Sequence, residues 1–306
     1  GGAGVALLSS TQISGLGSDQ IGGLGTDLIK SLTTTAIKNL TTQQIGYLNS
    51  AQVAALTTAQ VKSLTSEQLN SLSAENVGAL ETADIASITT PILSSFTQIS
   101  NFNSQQIKAL TNAQIRALSV TQLQSLSADQ YASLTTTEIS NFSATQVANF
   151  TTAGIASLSS AQLQAIPSSS IVSLDLSSLS TEQISALTTK QVSALTATKL
   201  NSLSAVSLSA LNGSAISAIP TAVLAAITSD QISNLSTAQI SALSSLQIQS
   251  LTTAQLNAMS ADQIASVSAS GVSALTTTQI TGLTAAIDLL AGLSTTQIPA
   301  LSTANI

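Results

Sequence analysis

Apolar residues recur along this chain at spacings that alternate between five and three residues. They define an eight-residue unit, the octad, with apolar residues at its first and sixth positions. Residues 56–63, with the sequence LTTAQVKS, are typical. A continuous amphipathic helix needs spacings of three and four, and in a flat strand the first and sixth positions would point to opposite faces. The pattern therefore favours a helix that ends and restarts in every one of the 34 full octads.

The polar positions indicate where each helix begins. The second position is usually Ser or Thr, and the fifth is Gln in 21 of the 34 octads. Ser or Thr followed three residues later by Gln is typical of a capping box, and the flanking apolar pair is typical of a hydrophobic staple. In the typical octad, Thr57 is predicted to cap the helix, Gln60 to bond back to the cap, and Leu56 to pack on Val61.

The charged residues support the same helical reading. Acidic residues recur at position four and basic residues at position seven, three residues apart, so they share one exposed face of a helical turn. This polarity agrees with the helix dipole, which favours acids near the N-terminus and bases near the C-terminus. The acids are Asp19, Asp27, Glu67, Glu75, Asp129, Glu182, Asp230 and Asp262, and the bases are Lys30, Lys38, Lys62, Lys108 and Arg116.

These features predict an all-α fold, a solenoid of very short capped helices of one to two turns, with one helix per octad. Helices this short are unstable alone, so each octad must be stabilised by neighbouring octads. We expect the small residue at position eight to let backbones approach closely at each corner. We also expect stacked position-five glutamines to hydrogen-bond to one another. The pattern does not fix the number of octads in one superhelical turn.

The register divides the chain into two parts. Residues 1–7 form a small, apolar N-terminal segment, and residues 8–306 form one continuous octad solenoid. The octad register is interrupted at 96–101, 174–178 and 283–292. We interpret these breaks as corners at which the superhelix resets its register.

The amino-acid composition argues against most catalytic mechanisms. The chain has a net charge of −6, 7% charged residues and no Cys, His or Trp, so thiolate and imidazole ligands or bases are absent. Two carboxylate pairs, Glu67 with Glu75 and Glu81 with Asp84, are interpreted as solvated surface. We expect no enzyme activity, no catalytic, cofactor-binding or metal-binding residue, no cofactor and no small-molecule substrate. Seven scattered basic residues also argue against nucleic acid as a partner.

The octad Leu-Ser/Thr-x-x-Gln-Ile/Val/Leu-x-Ala/Ser resembles the repeat regions of large secreted bacterial surface proteins of the adhesin-like and surface-layer-like kind. The resemblance covers nearly the whole chain, from Leu8 to Ile306. It implies an extracellular or cell-surface location, with the cell surface as a partner. It carries no catalytic or binding residues to this chain.

Two functions fit these observations. The first is a subunit of a self-assembling extracellular filament or surface layer, a homopolymer in which the solenoid continues head to tail from one copy to the next. The alternative is a spacer or stalk segment of a large secreted adhesin. For the first function, we expect an assembly interface at both chain ends, because a faithful unfinished octad could be continued by a small, apolar segment. Its residues are Gly1, Gly2, Ala3, Val5, Leu7, Leu301 and Ile306.

Overall fold

The computed structural model describes residues 12, 15–283, 293, 295 and 297–301, and the statements below concern these residues. Their regular structure is entirely helical, without a strand. The chain divides into two compact units, Gly1–Leu158 and Ser159–Ile306. The predicted all-α fold of very short helices is confirmed, with α-helices of four to six residues.

In the first unit, one helix follows another at nearly every octad. The α-helices are Ser18–Gly22, Thr26–Ser31, Thr34–Asn39, Thr42–Gly46, Ser50–Ala54, Thr58–Ser63, Ser66–Asn70, Ala74–Gly78, Thr82–Ser87, Thr90–Ser94, Ser104–Lys108, Asn112–Ala117, Val120–Ser125, Ala128–Ser133, Thr136–Ile139, Ala144–Val147 and Thr152–Ser157. One 3₁₀ segment, Ile99–Asn101, interrupts the series.

The second unit repeats this arrangement. Its α-helices are Ser160–Ala165, Ser168–Ile171, Thr181–Ser185, Thr189–Ser193, Ala197–Asn201, Ala205–Ser209, Gly213–Ser217, Thr221–Ala226, Ser229–Ser233, Thr237–Ser241, Ser245–Ser250, Thr253–Asn257, Ala261–Ala265, Ala269–Ser273 and Thr277–Thr281. Its 3₁₀ segments are Leu176–Ser178 and Ile298–Ala300.

Helices stack on the third element further along the chain. In the first unit, Thr34–Asn39 packs against Thr58–Ser63, which in turn packs against Thr82–Ser87. In the second unit, Thr221–Ala226 packs against Ser245–Ser250 in the same way. Three octads therefore complete one turn of the solenoid within each unit.

The corners between helices are built from ordinary extended backbone. Leu64 (φ −63°, ψ 145°) ends one helix, and Thr65 (φ −80°, ψ 165°) caps the next. Within the described residues, no backbone has a positive φ. The chain can therefore turn at every octad without the left-handed glycine that ends many longer helices.

Positions one and six fill the interior, as predicted. Leu56 and Val61 are 5% and 2% exposed, and the same two positions are buried in nearly every described octad. Position eight approaches position three of the preceding turn, which favours small residues there. A Cβ on Gly282 would lie 2.6 Å from Cγ2 of Thr253 in that turn.

Each octad forms one side of the three-sided solenoid turn, and two of the register breaks form shortened sides. Residues 96–101 and 174–178 each replace an octad with one 3₁₀ segment, and each keeps two buried apolar side chains. These pairs are Phe96 with Ile99 and Leu174 with Leu176. In the third break, 283–292, residues 284–292 lie outside the described residues.

Candidate functional site: the corner clamp

The capping box forms as the sequence predicts. In the helix Thr58–Ser63, the Thr57 hydroxyl accepts a hydrogen bond from the backbone N–H of Gln60 at 3.3 Å. The Gln60 Oε1 accepts one from the backbone N–H of Thr57 at 2.7 Å. These two bonds satisfy two of the N–H groups that a helix start leaves without a partner.

The same glutamine also joins successive turns of the solenoid. The Nε2 group of Gln60, which is 1% exposed, donates to the carbonyl oxygens of Ile29 at 2.8 Å and Leu32 at 2.7 Å. These carbonyls flank the corner between two octads of the preceding turn. We call this arrangement, a position-five amide bonded to its own cap and to the two corner carbonyls 31 and 28 residues earlier, the corner clamp.

Clamps recur throughout both units. Further examples are Gln52 on Ile21 and Leu24, Gln68 on Ile37 and Leu40, Gln146 on Ile115 and Leu118, Gln239 on Leu208 and Leu211, and Gln255 on Leu224 and Ile227. The expectation that glutamines bond to one another is wrong for these side chains. Their Nε2 groups reach main-chain carbonyls instead, because each amide lies directly beneath a corner of the preceding turn.

Shortened corners shift the spacing of the clamp without abolishing it. After the break at 96–101, Gln106 binds carbonyls 29 and 26 residues earlier, a shift of two residues. After the break at 174–178, Gln191 binds carbonyls 28 and 25 residues earlier, a shift of three. The shift equals the number of residues that each break lacks relative to an octad, so each break counts as one side of a turn.

Some octads replace glutamine with another donor. Asn76 donates from Nδ2 to the Leu48 carbonyl, and Lys199 donates from Nζ to the Leu174 carbonyl at 2.7 Å. Leu48 is at position one of its octad and Leu174 is the first residue of the break at 174–178, so each carbonyl lies at the spacing expected for the local register. The corner carbonyl therefore accepts from different side-chain donors, of which glutamine is the commonest.

Tyr131 and Gly154 together replace the glutamine of a corner clamp. Gly154 occupies position five, and an added Cβ there would lie 2.5 Å from the Tyr131 ring. The Tyr131 hydroxyl donates at 3.0 Å to the Leu123 carbonyl, the corner acceptor that a glutamine amide in place of Gly154 would otherwise bind. Burial raises the pKa of Tyr131 to about 12, so the hydroxyl keeps its proton. The octad pattern gives no signal that Gly154 is the partner of Tyr131, because the two residues are joined only through contacts between successive turns.

Acidic residues fall into two environments. All eight position-four acids are exposed, as predicted. The pKa values of Glu67 and Glu182 lie below the ordinary range because each carboxylate accepts a hydrogen bond from its own backbone N–H in the first helical turn. Asp84 is different, because it occupies position five and is only 2% exposed. Interpreting Glu81 and Asp84 together as solvated surface is therefore wrong for Asp84, and its position in the octad was the available signal.

The predicted assembly residues lie mostly beyond the described ranges. Leu301 is half-buried and directly follows the 3₁₀ segment Ile298–Ala300. Gly1, Gly2, Ala3, Val5, Leu7 and Ile306 lie outside the described residues. The structure thus places only one residue of the predicted interface.

In the described part of the chain, neither a membrane-spanning helix nor a cluster of metal ligands is present. Over these residues, the helices are too short to cross the apolar layer of a bilayer. The same part of the chain holds no group of three or more His, Cys, Asp or Glu side chains placed to bind a metal ion.

Comparison with known proteins identifies the repeat. Four segments match the ALTTAQ repeat, at residues 3–34, 29–58, 99–136 and 232–269, and together they cover less than half of the chain. No curated protein matches the chain significantly. The letters of the repeat name occur at residues 55–60, which form the corner, the cap and the clamping glutamine. The chain is therefore a repeat protein with solenoid architecture, similar in four segments to the ALTTAQ repeat.

Proposed function

We propose that this chain is a structural protein, a subunit of an extracellular filament or surface layer that assembles by head-to-tail continuation of the solenoid. The observation that carries the proposal is the corner clamp. Each turn recognises the preceding one through main-chain carbonyls, which every octad presents. A turn supplied by a second copy of the chain would satisfy the clamp as well as a turn of the same chain.

Gln20 illustrates the clamp bond that a contact with a second copy would form. Its Oε1 accepts from the Gly17 N–H at 2.9 Å, and its side chain is exposed. Its amide nitrogen is therefore accessible to a carbonyl acceptor from a second copy of the chain. In a homopolymer, a corner of a neighbouring copy supplies that acceptor. Such a heterologous contact extends into an open filament unless its rotation closes a ring.

Surface chemistry favours the same role. The described exterior is dominated by Ser, Thr, Ala and Gln, and only 7% of the chain is charged. Long-range charge repulsion between copies is therefore weak. A chain without cysteine also needs no defined redox compartment, which is compatible with the extracellular or cell-surface location. In this role the chain is not an enzyme and needs no cofactor, nucleic acid or small-molecule substrate.

Assembly of the purified chain tests the proposal. Negative-stain electron microscopy and sedimentation over a concentration series should show filaments or sheets above a critical concentration. Gln20→Ala should raise that concentration about fivefold, because each interface loses hydrogen bonds worth about 1 kcal/mol. The matched control is Gln43→Ala, at exposed position four of the helix Thr42–Gly46. It should leave assembly unchanged.

Changes at the chain ends test the predicted interface itself. Deletion of residues 1–7, or a charged tail after Ile306, should abolish assembly and leave the helical circular dichroism signal intact. If both variants assemble like the parent chain, head-to-tail continuation is wrong. A parent chain that stays monomeric at every concentration would favour the spacer of a longer adhesin. Antibody labelling of intact cells tests the surface location in either case.

A further inference from the structure

Asp84 is a buried acid at position five, where most octads carry a hydrogen-bond donor. Its side chain is 2% exposed, and its Oδ2 atom has no hydrogen-bond partner. It lies on the helix Thr82–Ser87, which packs against Thr58–Ser63 of the preceding turn. By the regular spacing of 28 residues seen for Asn76, the corner acceptor expected for this side chain is the position-one carbonyl of Leu56.

Asn76 shows what an Asp-sized side chain does at the same position. Its Nδ2 donates to the Leu48 carbonyl, 28 residues earlier. A carboxylate of equal length has only acceptors, whereas a protonated carboxyl group has one O–H donor. An ionised Asp84 would therefore place a charged acceptor against a carbonyl acceptor, and a neutral Asp84 would reproduce the bond of Asn76.

Glu138 differs from glutamine in the same way as Asp84 differs from Asn76. Its side chain has the length of glutamine but ends in a carboxyl group. It is 3% exposed, and its Oε2 accepts from the Thr135 N–H, as the glutamine Oε1 does in the capping box. Its other oxygen takes the place of the amide nitrogen that would clamp the position-one carbonyl of Leu110 in the preceding turn. Only the protonated form has a hydrogen to donate there.

We propose that Asp84 and Glu138 are buried proton-binding sites that tighten the solenoid in acid. Each carboxyl group takes a proton from solvent and donates it in a hydrogen bond to a corner carbonyl of the preceding turn, at Leu56 and Leu110. Both octads then acquire the donor that the corner clamp requires.

The electrostatic surroundings agree with protonation at these sites. Burial raises the pKa of both Asp84 and Glu138. Around Asp84, hydrogen bonds from the Thr58 hydroxyl and the Glu81 backbone lower the pKa, the Glu81 charge raises it, and burial is the largest effect. Exposed Lys62 and Lys108 lie on the packed helices Thr58–Ser63 and Ser104–Lys108. Around Glu138, Lys108 lowers the pKa, and exposed Arg116 lies on the packed helix Asn112–Ala117.

The direction of the two pKa shifts determines how the stability of the folded chain depends on pH. Because the folded chain holds these protons more tightly than the unfolded chain, the two sites stabilise it fully below their unfolded pKa values. This contribution is lost as the pH rises through the raised, folded values. These two sites are therefore expected to add stability on mild acidification, whereas carboxylates with lowered pKa values, such as Glu67 and Glu182, lose it as the pH falls.

Thermal unfolding of the full chain between about pH 4 and pH 8 tests the proposal, because this range starts near the unfolded pKa of carboxyl groups. The midpoint of the parent chain should rise by a few degrees as the pH falls. Asp84→Asn and Glu138→Gln carry permanent donors, so each should raise the midpoint at neutral pH and reduce its pH dependence. The double variant should show the smallest dependence. Glu75→Gln, at an exposed position-four acid, is the control and should keep the parent slope.

Infrared spectroscopy gives a second readout that stability alone would not move. The band of protonated carboxyl groups should appear in the parent at mildly acidic pH and weaken in each variant, but not in Glu75→Gln. Unchanged slopes in both variants, or midpoints below the parent at every pH, would overturn the proposal. It also fails if added calcium chloride raises the neutral-pH midpoint of the parent but not of Asp84→Asn, because the site would then bind a metal cation.

Discussion

At the scale of the residue, one side chain satisfies local and distant backbone together. The Gln60 oxygen accepts from its own cap, and the Gln60 nitrogen donates to two carbonyls of the preceding turn. A buried amide is costly unless its groups are bonded, and here all three bonds connect to main-chain atoms. This explains why glutamine outnumbers every other residue at position five.

Replacement of Gln60 should therefore cost more than replacement of its cap. Thr57→Ala removes one part-buried capping bond and should cost about 1 kcal/mol in the free energy of unfolding. Gln60→Ala leaves the Leu32 carbonyl without a donor and weakens the contact at Ile29, so it should cost about 2–3 kcal/mol. Urea denaturation of the two variants beside the parent measures both values. Equal costs would show that the amide contributes only its capping bond.

Tyr131 and Gly154 should behave as one unit. Gly154→Gln alone would drive a side chain into the Tyr131 ring and should cost about 3 kcal/mol. Tyr131→Ile alone empties space and removes the donor to Leu123, at about 2–4 kcal/mol. The double variant restores the ordinary pair and provides a glutamine for the corner at Leu123. A double-mutant cycle should give a favourable coupling of about 2 kcal/mol or more, and additive costs would contradict the assignment.

At the scale of the element, each octad is one side of a turn, and a break that keeps two buried apolar residues also counts as one side. Octads should then be interchangeable wherever no special pair spans them. Deletion of residues 40–47 keeps every later glutamine three octads from a corner. We expect it to preserve helicity and cooperative unfolding. Deletion of residues 40–43 moves positions one and six out of phase, and should lose cooperativity.

A deletion of equal length between Tyr131 and Gly154 provides a sharper comparison. Removing residues 134–141 keeps the octad phase but places Gly154 only two octads after the octad of Tyr131. The Tyr131 hydroxyl can then no longer replace the glutamine amide that Gly154 lacks. This variant should therefore unfold at a lower temperature than the variant lacking residues 40–47. Calorimetry of both variants decides the matter, and equal midpoints would show that octads are interchangeable even here.

Local features of these elements could be predicted from the sequence because they join residues three to five apart. The cap at Thr57, the return bond from Gln60 and the packing of Leu56 near Val61 are all of this kind. The number of octads per turn could not be predicted, because it depends on contacts between successive turns, which join residues far apart in the sequence. The donor role of the glutamine nitrogen depends on the same contacts. Asp84 could have been recognised from its fifth position alone.

At the scale of the whole molecule, every turn within each unit presents the next one with the same main-chain acceptors. A turn from a second copy could bind these acceptors in the same way, and the filament proposal therefore depends on the clamp. The same uniformity makes departures informative. Asp84, Glu138 and the Tyr131–Gly154 pair are places where the chain carries information beyond the repeat.

The central claim, three octads per turn, can be tested by cross-linking introduced cysteines, since the chain has none of its own. The Ser63 hydroxyl lies 3.4 Å from the Thr34 carbonyl of the preceding turn. The variant with Thr34→Cys and Ser63→Cys should therefore form an intramolecular cross-link rapidly with a short bis-maleimide at high dilution. Thr34→Cys with Ser71→Cys, one octad further on and also half-exposed, should not. Efficient cross-linking of the second pair, with little of the first, would contradict the three-octad turn.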